Sequence, residues 1–156
     1  MSGERTSHSG ADKHATTLLV DAHVHLHPSF NETRFFRAAA DNFATAAREL
    51  GVERPWRAVL IFTESVGGHR FSALRRRAGL AAVDGWRIET TCEATSFRLR
   101  TRGEDPPMSV VAGRQIQTEE GLEVLVFPLL DPLTEGRPIR ETLRASADAG
   151  LTSVVP

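Results

Sequence analysis

The chain has 156 residues, 40% of them hydrophobic and 25% charged, with a net charge of -1. That is material for one globular domain with a real core, and the balanced charge gives no basic footprint that would suggest nucleic-acid binding by bulk electrostatics. A single cysteine, Cys92, excludes an internal disulfide and fits a reducing compartment; no apolar run approaches the ~20 residues of a membrane span.

Met1 to Lys13 is rich in Ser, Gly and charge and lacks the apolar core of a signal peptide. Residues 1–15 are therefore expected as a disordered tail, with His8 and His14 solvated, and the expected location is cytoplasmic. The apolar run Leu18-Leu19-Val20 then leads into Asp21-Ala22-His23-Val24-His25. Read as a regular strand, this segment puts Asp21, His23 and His25 on one face and Val20, Ala22 and Val24 on the other. Two imidazoles about 7 Å apart along a strand, beside a carboxylate, can hold a divalent metal from one side. Zinc, manganese and iron all accept neutral imidazole nitrogen. The plainer alternative is a strand whose polar face carries satisfied histidines. His27 lies one step beyond, where Pro28 turns the chain.

Ser29 and Glu32 have the spacing of a capping box, and Phe36, Ala40, Phe43, Ala47 and Leu50 form one apolar stripe of a helix stopped at Gly51. Arg57 to Phe62 is a continuous apolar run, as in a strand buried on both faces. Strand, helix and strand in about fifty residues make a βαβ unit with parallel neighbours. Gly67-Gly68 gives a loop before a short helix, Phe71 to Leu80, whose Arg75-Arg76-Arg77 reads as a solvated face. Trp86 to Thr91, Thr95 to Thr101, Ser109 to Thr118 and Leu122 to Leu129 read as strands. Their turns fall at Gly103 to Pro107 and Glu119 to Gly121. Pro138 to Ala149 returns to helix, and Leu151 to Val155 is a last strand.

Val20-Asp21-Ala22-His23-Val24-His25-Leu26 resembles the first-strand motif shared by the amidohydrolase superfamily and the PHP (polymerase and histidinol phosphatase) family. The segment Val110 to Thr118, followed by Gly121 to Phe127, is similar to a Gly-x-Glu-Ile-x-Thr segment of the PHP family and the strand after it. Ile139 to Val155 resembles that family's helix and turn before a strand ending in His-Pro. The likeness spans about residues 17–156.

What the resemblance implies is a partial (β/α) barrel of the PHP type, truncated after four or five strands, with a β-rich insertion around 86–129. Such a chain is a truncated product, or it closes its sheet on another chain. The implied activity is metal-dependent hydrolysis, of a phosphoester by a metal-activated water or, in the amidohydrolase alternative, of an amide or related bond. The implied metal residues are His23, His25, Asp21 and Gln115, with zinc, manganese or iron as the cofactor. Asp21 orients rather than ligates. Gln115 stands where the family has a bridging Glu, Glu123 near a family histidine, Glu64-Ser65 where it has Asp-His, and Val155-Pro156 at its His-Pro.

Glu64, at the end of the second strand, is the candidate catalytic base, with an exposed loop acid as its plain alternative. His69 could swing to the same rim or remain a surface histidine. Arg70 and Arg114 are candidates to meet phosphate charge. The expected partners are a small, phosphorylated substrate and a second chain at an open sheet edge, with neither nucleic acid nor membrane. The substitutions among family ligands support a competing reading, a catalytically inactive remnant or interaction module.

Overall fold

The computed structural model describes residues 16–80, 85–101 and 107–156. The amino-terminal tail and most of the turn expected at 103–107 lie outside the described residues. Seven strands and three helices follow one another as β1 (Thr17–Val24), α1 (Glu32–Glu49), β2 (Trp56–Glu64), α2 (Arg70–Arg75), β3 (Trp86–Thr90), β4 (Ser96–Thr101), β5 (Met108–Gln117), β6 (Glu123–Phe127), α3 (Ile139–Asp148) and β7 (Thr152–Val154).

The strands form one open sheet in the order β1-β2-β5-β4-β3, with β6 also on β5 and β7 on β6. Strand β5 is its spine. One edge pairs in parallel with β2 over 108–114, while the other takes β4 at 108–111 and then β6 at 114–117, both antiparallel. This corrects the expected partial (β/α) barrel. Only β1–β2 and β2–β5 are parallel, and the sheet is mixed, unclosed and not ringed by helices. The residues 86–129 are no insertion, because they supply the middle of the sheet and one of its edges. The reason lies in the alternation along β3 and β4. Arg87, Arg98 and Arg100 are exposed while Trp86, Ile88, Phe97 and Leu99 are buried, the pattern of antiparallel strands with one wet face.

All three helices pack on one face of the sheet. Phe36, Phe43 and Ala47 of α1 and Phe71 and Leu74 of α2 join Leu60, Phe62, Phe97, Leu99 and Val110 in the main core. A smaller core under α3 joins Ile116, Val124 and Val126 to Ile139, Leu143 and Leu151. Helix α1 starts at Asn31, whose side chain accepts from the Arg34 N–H at 2.9 Å. Ser29, the expected cap, instead bonds His27 Nδ1 at 2.8 Å. Both α1 and α3 end in a Schellman turn: Val52 N–H reaches Ala47 O and Leu151 N–H reaches Ser146 O, around Gly51 and Gly150 at φ 65° and 69°. Among the described residues no helix is long and apolar enough to cross a membrane.

Candidate functional site

Strand β1 changes phase in its middle. Asp21 pairs with Leu60 and Val24 with Phe62, so β1 carries one residue more than β2 over this interval. Up to Asp21, the odd positions face the helices, and Leu19 is buried there; after the bulge the even positions do, with Val24 and Leu26 buried. Strict alternation would have placed His23 and His25 on the helix-covered face beside Leu19, where unpaired imidazoles are costly. The extra residue turns both to the opposite face and parts them from Asp21. Asp21 instead supports the bulge, its Oδ1 accepting from the His23 backbone N–H at 3.3 Å. The slip leaves no mark in the sequence, where Leu18, Val20, Ala22, Val24 and Leu26 alternate without a break; it shows only in the burial of Leu19 while Leu18 and Val20 stay exposed.

The two imidazoles stand with ring centroids 5.0 Å apart, edge to face. Across the curled sheet, His23 Nε2 lies 3.2 Å from Gln115 Oε1, and Gln115 Nε2 donates to Glu123 Oε1 at 2.7 Å. His23, His25 and Glu123 are exposed and Gln115 is half-buried. A cleft of about 620 Å³ opens along the outer edge of β1, bounded by the two histidines, α1, Leu125 and Val154. The structure thus brings together His23, His25, Gln115 and Glu123, and gives Asp21 a different task.

A second cleft, about 540 Å³, lies past the carboxyl ends of the parallel strands β1 and β2, where ligands of open α/β sheets gather. His25, His27, Glu64, His69 and Arg70 line it. Glu64 shares this rim with His25, as expected, but it is neither an exposed loop acid nor a free base. It is buried; Oε1 accepts from the Phe71 N–H at 2.8 Å, and Oε2 lies 3.6 Å from Arg114 Nη1. It therefore caps α2, whose own N-cap residue, His69, offers no side-chain bond. Arg114 is buried too. Its Nε donates to Leu130 O at 2.7 Å, Nη2 reaches the same carbonyl, and Nη1 donates to Gly68 O at 2.9 Å. A Cβ on Gly68 would stand 2.9 Å from Glu64 Cβ, so only glycine lets this loop close over the pair.

The arginines proposed for phosphate are committed elsewhere. Arg70 and Arg77 both clasp Glu32 at the start of α1, and Arg75 donates to the Ser96 and Glu93 carbonyls. The run 75–77 is thus partly a tie between elements rather than a wholly solvated face. Sequence reasoning missed this clasp because its two ion pairs join residues 38 and 45 positions apart.

The donor set can be tested for metal. Two imidazoles on one tetrahedral ion, with Zn–N about 2.1 Å, have centroids roughly 5 Å apart, which matches the spacing here. Among the described residues no three His, Cys, Asp or Glu side chains gather closely enough to hold an ion between them. The agreement is one of ring spacing alone, between two side chains. No family model, no curated protein and no solved structure matches this chain.

Proposed function

We propose that the chain binds a divalent transition metal through His23 and His25 and uses it in hydrolysis, of a phosphoester in the first instance. The observation that carries this reading is the 5.0 Å spacing of the two rings on the face the bulge turns them to. A strand that breaks its own register and so turns an imidazole pair out of the helix-covered face, beside a cleft large enough for a small substrate, supports a ligand role over a merely polar face. The metal would polarise a substrate oxygen and lower the pKa of a bound water toward 7. The residues of this chain hold and orient: His25 borders both clefts, and Gln115 fixes His23. The choice of phosphoester over amide rests on the resemblance of the Gly113 to Thr118 segment.

The test is calorimetric titration of the metal-free chain with zinc and with manganese. Binding near one equivalent is expected for the wild type, and a loss of at least tenfold in affinity for His23→Ala and for His25→Ala. Equal binding by the wild type and both variants would overturn the reading.

A second reading, an interaction module, is favoured by the outer edge of β1, which has no strand partner among the described residues. Leu18 and Val20 are exposed beside it at 58% and 53%, as in edges open to strand addition. Sedimentation of the chain over a range of concentrations tests it, and a monomer throughout would count against self-association.

A further inference from the structure

The contact between His23 and Gln115 has a direction, and Glu123 sets it. A carboxylate only accepts hydrogen bonds, so the Gln115 group facing Glu123 Oε1 at 2.7 Å is the amide NH2. The other end of that amide, Oε1, then faces His23 Nε2 at 3.2 Å. An amide oxygen also only accepts, so Nε2 carries the proton and the lone pair of the neutral ring is left on Nδ1. Each step follows from which atoms can donate. From this geometry we infer that Glu123, which does not touch His23, is a positioning residue that selects the tautomer of His23 through Gln115. The inference rests on the metal reading for its purpose, since a ligand must offer a lone pair in a fixed direction, but not for its geometry.

This gives Gln115 a different part from the one its place in the sequence suggests. It serves as a relay whose two ends are chemically unlike, so the state of one neighbour dictates the state of the other. A glutamate there would face Glu123 across the same short gap and set two carboxylates against each other. Glutamine is the residue of that length that can donate to one side and accept from the other.

Reversing the far end should therefore reverse the near end. In Glu123→Lys the ammonium can only donate, so it attracts Gln115 Oε1 and turns the NH2 toward His23. Nε2 must then accept, and the proton moves to Nδ1. The experiment is two-bond proton–nitrogen correlation of the imidazoles in the full, metal-free, 15N-labelled chain, above the ordinary imidazole pKa of about 6.5. The His23 signal is assigned by its loss in His23→Ala. The expected result is the Nε2–H form in the wild type and the Nδ1–H form in Glu123→Lys.

A double exchange, Gln115→Glu with Glu123→Gln, keeps an acceptor facing His23 and a donor facing that acceptor. It is expected to retain Nε2–H, and Glu123→Arg, whose guanidinium likewise only donates, is expected to give Nδ1–H and carries the test if the lysine variant does not fold. A His23 tautomer unmoved by Glu123→Lys overturns the inference, as does Nδ1–H in the wild type or in the double exchange. Zinc titration separates the two proposals. A wild-type chain that binds no zinc yet shows the inversion removes the metal reading and leaves the relay. A chain that binds zinc with an unmoved tautomer does the reverse.

Discussion

Arg114 and Gln115 are adjacent on β5 and point to opposite faces of the sheet, and the polar clusters around them differ in kind. Arg114 and Glu64 are 6% and 8% exposed, and the groups around them, the Leu130 and Gly68 carbonyls and the Phe71 N–H, meet them at short range. Such a group cannot be exchanged for a ligand without leaving a buried charge unpaired, which costs far more than the pair itself contributes. Gln115, His23 and Glu123 lie at the surface, where water stands in for any partner that leaves. The contrast teaches that proximity to a cleft does not make a carboxylate reactive. Glu64 borders the rim but is spent on holding α2 and the Gly68 loop, whereas the weaker, wetter cluster keeps lone pairs in reserve.

The largest effect should come from breaking the buried side. Arg114→Met removes a charge and three donor contacts but leaves Glu64 buried without its partner, and urea unfolding should show a loss of about 3–5 kcal/mol. A loss under about 1 kcal/mol would mean that the clamp is not the support described here. On the other face Gln115→Leu should change stability by no more than about 0.5 kcal/mol, while zinc affinity falls by roughly 10- to 100-fold. The same pair of measurements on both variants then sharpens the comparison, since a shared profile would erase it.

The smallest effect concerns a third carboxylate. Both oxygens of Glu120 accept from the Ile139 N–H at the start of α3, at 3.1 and 3.0 Å. That backbone hydrogen bond, ahead of those from its own backbone and from the Thr118 side chain, lowers its pKa from the usual 4.5. A lowered folded-state pKa stabilises the fold above the unfolded value, and the contribution is lost as pH falls through the folded value. Protection of the amides in the first turn of α3, taken relative to the intrinsic exchange rate at each pH, should therefore fall in acid. The acid step should be absent from Glu120→Gln, whose protection stays flat across the same range.

Much of the element order was legible, because apolar runs and glycine stops are local signals. The helix expected to end at Gly51 runs over Glu32–Glu49, and the strand expected at Arg57 to Phe62 is Trp56–Glu64. What the sequence withheld was pairing. Nothing local tells Met108–Gln117 that it will take β2 on one edge and two antiparallel partners on the other. At the site, His23 and His25 were singled out by their chemistry, but their facing depends on a bulge that strict alternation overlooks. Glu64 caps α2 through Phe71, seven positions on, but its burial beside Arg114 joins distant parts of the chain, which no local window could reveal.

The bulge in β1 has a practical bearing on how this chain is aligned with a relative. Its two flanking hydrophobic sets stay seated whether the intervening stretch holds three steps or two, so a one-residue gap between Asp21 and Val24 is physically cheap. An alignment that forbids such a gap would match histidine to leucine and hide a kinship that the pairing of the strands preserves.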